Sequence, residues 1–390
     1  MTILKCPEIR FKNEDGNNYP DWEEKKLDNV FKFYKGKGIS KIELSEEGTP
    51  CIIYGELYTK YREVIGVVKS KTNIKKELLF MSEIGDILIP SSGETQKDIA
   101  TASTVMEKNV ALGGDINILR SKETINSPYV SYYLKHIKNI EISKLSQGNS
   151  VVHLYSKQLS NLKIEIPSLE EQQKIGDFFM LLDKRIEQQE EKIALLKDYK
   201  KTMMQKIFSQ KIRFKDENGN DYPDWEEKKL GEISNIQTGN MNVEDNIPDG
   251  KYYFFDRSVT IKKLNSFTFD NEAIIYPGEG SEFLPRYFNG KYALHQRSYS
   301  VNSVKDNSIK YIYHFLKTKN NHFLTTAVGS TVKSLRKNCF ENCIISLPCL
   351  LEQEKIALFL TSIDKNIDEN ESILYKFKDQ KQALLSKIFV

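Results

Sequence analysis

Residues 10–27 of this chain read RFKNEDGNNYPDWEEKKL, and residues 213–230 read RFKDENGNDYPDWEEKKL. The two stretches are identical at 15 of 18 positions. A second matched pair lies downstream, because residues 166–208 and residues 347–389 are identical at 17 of 43 positions. Similarity at two matched places within one chain is the signature of a duplicated structural unit. The sequence therefore predicts two tandem copies of one unit, each opened by the first motif and closed by the second.

The middle segments, 28–165 and 231–346, are much less alike. Alternating apolar residues and turn signals predict β-strands in both, at 51–58, 85–90, 116–119, 251–255 and 272–277. Three landmarks recur, an Ala-Leu pair, an Asn-Ser pair and a G-x-[ST]-V-x-x-L turn, beginning at Ala111 and Ala293, Asn126 and Asn307, and Gly148 and Gly329. Preserved ends with dissimilar middles indicate a shared assembly role and two different recognition surfaces. The alternative is drift after an old duplication, with no division of labour.

The closing segments are predicted to be long helices. Leu, Glu, Lys and Gln dominate them, and the first contains one glycine, Gly176, and no proline after Ser168. Pro167 and Pro348 mark where the two helices begin. Ser168 with Glu171 fits a capping box, in which both side chains satisfy free N–H groups of the first turn.

Apolar residues in both helices step by four and three residues, which is the spacing of a coiled-coil seam. Polar residues interrupt the seam at Gln189 and Lys200 and, at matching places, at Asn370 and Lys381; such residues commonly fix register and partner. At about 1.5 Å per residue, each helix could span roughly 60 Å. We expect the helices to pair with each other and to hold the globular parts apart; the alternative is that each packs on its own domain as core. The predicted seam residues are Ile175, Phe179, Leu182, Ile186, Ile193, Leu196, Ile356, Leu360, Ile363, Ile367, Leu374 and Phe377.

Composition sets outer limits on the class of protein. The 390 residues are 39% hydrophobic, enough for two packed domains, and the net charge of +3 is only weakly basic. The sequence shows neither an apolar run of membrane-spanning length nor a signal peptide, so we expect a cytoplasmic protein without membrane contact. The cysteines are odd in number and without metal-ligand spacing, which predicts free, partly buried thiols at Cys6, Cys51, Cys339, Cys343 and Cys349.

Motifs for catalysis are missing from the sequence. It contains neither a phosphate-binding P-loop nor an Asn/Asp-Pro-Pro-Tyr/Phe stretch, and the five histidines do not pair with Cys or Asp at a triad-like spacing. The carboxylates at Asp21, Glu23 and Glu24 lie too close together for a metal-dependent nuclease, and Trp22 among them is expected to pack. A free-standing nuclease is therefore disfavoured, and no catalytic or metal-binding residue is assigned.

Polar and aromatic residues crowd the predicted loops. Gln and Arg can bond bidentately to adenine and guanine edges, and Lys can neutralise phosphate, although loop residues are more often simply solvated. The candidate DNA contacts are Lys35, Lys37, Ser40, Lys41, Tyr54, Tyr58, Ser91, Ser92, Lys97, Ser150, Asn240, Asp256, Arg257, Lys262, Arg286, Gln296, Arg297, Thr331 and Lys333.

The closing motif carries a family resemblance. It reads IPSLEEQQKI from Ile166 to Ile175 and LPCLLEQEKI from Leu347 to Ile356. Tandem variable segments, each closed by this motif and a long helix, resemble the specificity subunit of a type I restriction-modification system. The likeness covers nearly the whole chain.

The resemblance implies a fold and a set of partners. The fold class is α+β: two mixed α/β target recognition domains separated by two long helices that form an antiparallel coiled coil, as a pseudo-twofold tandem repeat. The implied function is non-catalytic recognition of an asymmetric bipartite site in double-stranded DNA. Two methyltransferase subunits would dock on the repeated surfaces, and motor-nuclease subunits would join through the complex. S-adenosylmethionine, ATP and Mg²⁺ are expected on those partners and none on this chain.

The division of the chain follows from the same resemblance. Its implied parts are an N-terminal leader, a first target recognition domain, a central spacer helix, a second target recognition domain and a C-terminal spacer helix, at 1–19, 20–166, 167–209, 210–347 and 348–390. Two alternative functions remain: the recognition chain of a methylation-only defence complex, and a coiled-coil scaffold that binds only proteins.

Overall fold

The computed structural model describes residues 7–148 and 151–389, which divide into two compact units. Unit 1 contains the chain up to Glu190 together with the segment from Ile373 onward, and unit 2 contains Glu191–Ser372. Each of the two long helices therefore contributes one half to each unit. The predicted pair of long helices is present, as Leu169–Phe208 and Leu350–Ile388.

Unit 1 is built around two five-stranded sheets within the described residues. Its strands are β1 Glu23–Lys26, β2 Phe31–Lys35, β3 Leu44–Ser45, β4 Thr49–Ile52, β5 Val64–Ile65, β6 Ser70–Thr72, β7 Phe80–Met81, β8 Ile87–Pro90, β9 Ser92–Gly93, β10 Ser103–Val105, β11 Ala111–Leu112, β12 Ile116–Ser121, β13 Val152–His153 and β14 Lys163–Ile166. The sheet orders are β2-β12-β8-β10-β5 and β3-β6-β4-β11-β7, with β1-β14 and β9-β13 as separate antiparallel pairs.

Helices cover these sheets and lead out of them. They are α1 Leu27–Val30, α2 Glu56–Thr59, α3 Gln96–Ile99, α4 Ser127–His136, α5 Asn139–Leu145, α6 Ser156–Leu159 and the long α7 Leu169–Phe208. The strand predicted at 51–58 is wrong beyond Ile52. The Glu56 carboxylate accepts a hydrogen bond from the Ile53 backbone N–H and pairs with Lys60 one turn later, which winds the chain into α2 instead.

Unit 2 has one six-stranded sheet in the part of the chain that the structure describes. Its strands are β15 Glu226–Lys229, β16 Asn235–Thr238, β17 Tyr252–Phe255, β18 Lys262–Leu264, β19 Phe269–Pro277, β20 Glu279–Gly280, β21 Arg286–Leu294, β22 Ser298–Asn302, β23 Lys333–Ser334 and β24 Ile344–Leu347. Its helices are α8 Leu230–Ile233, α9 Ile309–Leu316, α10 Asn320–Thr326, α11 Lys337–Glu341 and the long α12 Leu350–Ile388. The sheet order is β16-β22-β19-β21-β17-β18, and β15-β24 and β20-β23 form separate pairs.

The duplicated ends fold alike, whereas the sheets between them differ. Strands β1 and β14 pair antiparallel with Glu23 opposite Ile166, and β15 and β24 pair with Glu226 opposite Leu347. The short pairs β9-β13 and β20-β23 also correspond. The strands predicted at 85–90, 116–119, 251–255 and 272–277 are confirmed as β8, β12, β17 and β19.

The core of each unit is completed by the last turns of a long helix from the other repeat. In unit 1, Leu385, Ile388 and Phe389 at the C-terminal end of α12 are buried. The Phe389 and Phe179 rings stack, with their centres 5.6 Å apart. A fully buried side chain of this size contributes about 1.5–3 kcal/mol.

Unit 2 repeats this arrangement with the end of α7. Ile207 is fully buried there, and the Phe208 ring lies 5.3 Å edge-on from that of Phe315. Ile207 and Phe208 match Ile388 and Phe389 in the duplicated sequence. The predicted seam therefore serves partly as domain core, at Ile175 and Phe179 in unit 1, and at Ile356, Leu360, Ile363 and Ile367 in unit 2.

Candidate nucleic-acid interface and its anchor

A buried carboxylate at the start of each long helix holds the first repeated motif in place. In unit 1, Glu171 is fully buried and accepts hydrogen bonds from the Arg10 guanidinium at 2.7 and 3.1 Å and from the Trp22 indole at 3.2 Å. Arg10 also donates to the Pro20 carbonyl. The expected packing of Trp22, which is 6% exposed, is confirmed. We call this cluster of Arg10, Trp22 and Glu171 the anchor.

Unit 2 contains the same anchor. Glu352 is buried and accepts from Arg213 at 2.7 and 3.2 Å and from the Trp225 indole at 3.2 Å. The predicted capping box at Ser168 forms only in part, because the Glu171 backbone N–H donates to the Ser168 hydroxyl while the Glu171 carboxylate is taken up by the anchor.

The next residues of the closing motif tie each long helix to its globular part. Gln172 is buried, donates to the Pro167 carbonyl and accepts from the Asn126 backbone N–H, where Asn126 caps α4. Lys174 donates to the Lys12 carbonyl and lies over the Tyr19 ring. Gln353 and Lys355 make the matching contacts in unit 2. The motif that carries the family resemblance is thus a set of structural joints.

The candidate residues of unit 2 meet around a tight turn between β21 and β22. Ser298 donates its backbone N–H to the His295 carbonyl, which closes the turn over Gln296 and Arg297. The Gln296 backbone N–H donates to the Met241 carbonyl, and its side-chain amide donates to Asn242. Gln296 and Arg297 are both exposed on this fixed turn.

Two exposed arginines share one carboxylate beside that turn. Glu279 accepts from Arg297 at 2.7 Å and from Arg257 at 3.3 Å. Their side chains are 64% and 66% exposed, whereas that of Glu279 is 14% exposed. One negative charge for two positive ones leaves this corner net basic, with both guanidinium groups restrained and accessible. Gly278 permits the close approach, because a Cβ there would lie 1.6 Å from the Arg297 carbonyl oxygen.

Asp256 is a buried carboxylate beneath this surface. It is 5% exposed and accepts hydrogen bonds from the Lys262 ammonium and the Ser258 hydroxyl. Burial alone would raise the pKa of the Asp256 carboxyl, but these hydrogen bonds lower it. Arg286 reaches the Ser258 carbonyl at 2.8 Å. The assignment of Asp256 as a DNA contact is therefore not supported, because its carboxylate is buried and already paired. Asn240 and Thr331 are exposed, and Lys333 is half-buried on β23.

Unit 1 presents a different surface at the corresponding turn. Gly113 and Asp115 stand where unit 2 has His295 and Arg297, counted from the shared Ala-Leu pair. Gly36 fits against this turn, since a Cβ there would lie 1.9 Å from the Gly113 carbonyl oxygen. Lys35 and Lys37 flank Gly36 and are exposed. This corner therefore carries lysines in place of an arginine pair.

The other candidate residues of unit 1 divide into exposed and buried ones. Ser40 and Lys41 are exposed, and the Ser40 hydroxyl is bonded to Glu43. Ser91 and Ser92 are 4% and 6% exposed, and Ser92 bonds to His153, so their burial argues against direct contact with a duplex. Ser150 lies outside the described residues.

An aromatic pair lies near a further basic residue of unit 1. The Tyr54 and Tyr58 rings are half-buried and lie 6.4 Å apart. Tyr58 lines a groove with Lys97 and Lys135, and burial raises the pKa of the Tyr58 hydroxyl. Lys97 is exposed on α3.

Sequence reasoning missed a buried ionic cluster on the long helices. Lys381, predicted only as an interruption of the seam, donates to Asp183 at 2.6 Å and to Glu63 at 3.3 Å. Asp183 also accepts from the hydroxyl of Tyr132 on α4. Lys200 pairs with Asp364 in unit 2. The available signal was that Asp183 and Lys200 are identical to Asp364 and Lys381 in the other repeat.

The described residues contain neither a metal-binding cluster nor a membrane-spanning helix. Among residues 7–148 and 151–389, no group of three or more His, Cys, Asp or Glu side chains is placed to hold a metal ion. Over the same residues, no helix is both long and apolar enough to cross a membrane. Cys51, Cys339 and Cys343 are free and buried, and Cys349 is free and half-buried, as predicted for these four thiols. Cys6 lies outside the described residues.

These features define a class: a duplicated α+β protein in which one preserved anchor carries two unlike loop surfaces. A family model described as the type I restriction modification DNA specificity domain matches residues 19–198 and 222–376. The chain therefore belongs to the type I restriction-modification DNA specificity family.

Relatives of this chain have the same description. The type I restriction enzyme EcoDI specificity subunit of Escherichia coli is 28% identical over 167 residues, which cover 42% of this chain and 37% of that protein. The MjaVIII specificity subunit of Methanocaldococcus jannaschii is 27% identical and covers 73% of this chain and 64% of that protein. The MjaIX specificity subunit of the same organism is 23% identical over 98% of this chain and 96% of that protein.

Solved structures share the fold. The type I restriction-modification S subunit from M. genitalium superposes with a TM-score of 0.70 at 16% identity, over 99% of both chains. A chain from a structure concerned with complex assembly and conformational transition of the type I R-M system superposes with a TM-score of 0.52 at 16% identity, covering 94% of this chain and 97% of that one.

Proposed function

We propose that this chain is the DNA-recognition subunit of a type I restriction-modification complex and reads an asymmetric bipartite site, one half-site per unit. The observation that carries the proposal is the combination of two matching anchors with two unlike loop surfaces. Unlike surfaces suit two different base sequences, whereas a repeated surface suits one kind of partner bound twice. The chain itself performs no chemistry in this function.

In unit 2 the turn at Gln296 and Arg297 is the proposed reading element. An arginine can bond bidentately to guanine and a glutamine to adenine in the major groove. Glu279 limits the freedom of Arg297 before DNA binds, so less side-chain entropy is lost on binding. Arg257 and Lys262 stand beside the turn, where they can contact phosphate.

In unit 1 we propose that Lys35, Lys37 and Lys41 contact phosphate, with Tyr54 and Tyr58 near the bases. Asp115 in place of Arg297 removes the guanine-reading group at that position. The first half-site is therefore expected to differ in base content from the second.

The long helices are proposed to form an antiparallel coiled coil in a pseudo-twofold arrangement and to set the gap between the half-sites. The end of α12 completes the core of unit 1 and the end of α7 that of unit 2, which supports this pairing. Two methyltransferase subunits, carrying S-adenosylmethionine, are proposed to dock on the repeated surfaces that the two units share. Motor-nuclease subunits with ATP and Mg²⁺ would join through the complex, which we place in the cytoplasm.

The test is to reconstitute the full chain with its methyltransferase and to map the methylated sites. Two methyltransferase subunits per chain and a split, asymmetric site are expected. Arg297→Ala should relax one base position in one half-site, with a loss of about 1–3 kcal/mol in discrimination. Lys263→Ala, an exposed neighbour on β18, is the control and should leave the site unchanged. Relaxation in both half-sites, or in neither, would contradict the assignment.

A further inference from the structure

The ion pairs between α7 and α12 form a reciprocal set. In unit 1, Asp183 pairs with Lys381 at 2.6 Å and Glu190 pairs with Lys378 at 2.7 Å. In unit 2 the signs are exchanged between the helices: Lys200 of α7 pairs with Asp364, and Lys197 pairs with Glu371 at 2.7 Å. Each helix is acidic in the first half of this stretch and basic in the second.

The exchange follows the duplication residue by residue. Asp183, Glu190, Lys197 and Lys200 are each identical to the residue 181 positions later, which are Asp364, Glu371, Lys378 and Lys381. Asp183 pairs with Lys381, the counterpart of Lys200, and Lys200 pairs with Asp364, the counterpart of Asp183. Reciprocal contacts of this kind are the pattern of a twofold interface. Parallel helices in the same register would instead place Asp183 beside Asp364 and Lys200 beside Lys381.

Two of the pairs, Asp183 with Lys381 and Lys200 with Asp364, are mostly buried, with the Asp364 side chain 31% exposed. The side chains of Lys200 and Lys381 are 9% and 12% exposed, and that of Asp183 is 10% exposed. A charge at this depth is costly unless an opposite charge faces it. The other two pairs are Glu190 with Lys378 and Lys197 with Glu371. Their side chains are 36–57% exposed, so each of these pairs contributes less to stability.

Sliding one helix by a heptad breaks this match in either direction. In one direction Lys378 moves into the place of Glu371 and faces Lys197, while Ile388 replaces Lys381 opposite Asp183. In the other direction Glu371 moves into the place of Lys378 and faces Glu190, while Leu374 replaces Lys381. Both shifts create a like-charge pair, and in both Asp183 loses the lysine that faces it from α12 while it keeps the Arg62 guanidinium at 3.5 Å.

We propose that these four ion pairs determine the register of the two long helices and are the specificity-determining contacts of the spacer. Because the apolar seam repeats every heptad, its spacing alone does not distinguish this alignment from one shifted by a heptad, whereas the charges accept one alignment. The buried helix ends at Ile207 and Phe389 favour the same alignment. The inference rests on the proposed pairing of the helices as a spacer, and it assigns to named residues the role of fixing its length.

A zero-length carbodiimide cross-linker tests the register on the unmodified full chain. It joins a carboxylate to an amine only when the two are in contact, so mass spectrometry should find Glu190 joined to Lys378 and Glu371 joined to Lys197 within one chain. Joining of Glu190 to Lys381 and of Glu371 to Lys200 in place of these pairs would indicate a register shifted by one heptad and would overturn the proposal. So would the absence of any cross-link between the two helices.

Charge reversal tests which contacts decide the register. Lys200→Asp sets two carboxylates face to face, and we expect a lower unfolding midpoint of the full chain and a several-fold loss of the Lys197 to Glu371 cross-link. Adding Asp364→Lys should restore both readouts, because one charge of each sign returns. Lys201→Asp makes the same charge change at the adjacent exposed position and should leave both readouts unchanged.

The outcomes separate this inference from the proposed function. If the doubly substituted chain is no better than Lys200→Asp, or if Lys200→Asp itself keeps its cross-link and midpoint, the register role is wrong. Methylation of a split site by the unmodified complex would still support the proposed function in that case. If the expected cross-links form but the complex methylates no DNA, the register role is supported and the proposed function is wrong.

Discussion

Glu171 and Glu352 show how one residue can decide the position of a whole element. Each is fully buried, and each receives an arginine and a tryptophan from a segment far away in the sequence. The guanidinium faces the carboxylate with two hydrogen bonds, and such charge-assisted pairs are among the strong ones in proteins. Gly176, further along the same helix, allows a close approach of the globular part, because a Cβ there would lie 2.4 Å from the Asn126 side-chain oxygen. Unit 2 has Ala357 there, and its short helix is capped by Ser308 instead.

Glu171→Gln is expected to destabilise unit 1 by about 2 kcal/mol, because it replaces a charged hydrogen-bond acceptor with a neutral one opposite Arg10. The measurement is urea unfolding followed by the fluorescence of Trp22 and Trp225. Glu170→Gln, the exposed neighbour, is the matched control. Equal stability of the two variants would show that the anchor contributes no net stability.

A histidine buried in unit 2 predicts a difference in acid stability between the units. Burial, with Lys200 nearby, lowers the pKa of His314 to about 3. Because the unfolded histidine titrates near 6.5, its stabilising contribution is present above pH 6.5 and is lost as the pH falls from 6.5 towards 3. In unit 1, Tyr132 contacts Asp183 much as His314 lies beside Asp364, and tyrosine stays neutral in this range.

The acid dependence of unit 1 should begin at lower pH. Burial alone would raise the pKa of Glu63, but His136, Lys135 and Lys381 hold it well below its usual 4.5. Its stabilising contribution is present above pH 4.5 and is lost below that. Thermal unfolding between pH 7 and 4.5 should therefore weaken unit 2 first, and His314→Tyr should flatten that dependence. An unchanged dependence in this variant would assign it to another group.

At the scale of elements, α7 and α12 have two tasks along their length. Their ends are core elements of the two units, and the stretch between carries the ion pairs. A helix that only packed on its own domain would not need charged residues at Lys200 and Lys381. This division predicts where the helices can be lengthened without damage to either core.

Inserting seven helix-forming residues between Glu190 and Lys197, and seven more between Glu371 and Lys378, should lengthen the spacer. The Glu190–Lys378 and Lys197–Glu371 pairs should both stay intact. Seven helical residues add roughly 10 Å, or about three base pairs of B-DNA. The gap between half-sites should grow by that amount while the half-sites stay the same, as measured by methylome mapping. Altered half-site bases would contradict the ruler role, and insertion into α7 alone should abolish methylation.

At the scale of the whole molecule, neither repeat fills its own core. Unit 1 needs Leu385, Ile388 and Phe389 from the end of the chain, and their counterparts in the first repeat are Met204, Ile207 and Phe208. The first repeat therefore carries the residues that another copy of itself would need, together with both halves of the ion-pair set.

Residues 1–212 alone are thus expected to form a dimer, because a lone copy would expose the apolar face that the end of α12 covers. A dimer of identical units has a true twofold axis and should direct methylation of a palindromic site. Light scattering gives the mass, and site mapping with the methyltransferase gives the symmetry. A stable monomer, or a dimer that selects an asymmetric site, would show that the helices do not pair as proposed.

The sequence by itself determined the duplication, the two long helices, four of the five predicted strands and the family, because these are local patterns that repeat within a few residues or at a fixed offset. Only the tertiary structure decided what the repeated closing motif does and which candidate contacts are available. Arg10 meets Glu171 across 161 residues and Lys381 meets Asp183 across 198, distances over which no pattern along the chain pairs one charge with another. Burial of Ser91 and Asp256 depends in the same way on which strands pack together, since a polar residue in a predicted loop reads alike whether it faces water or the core.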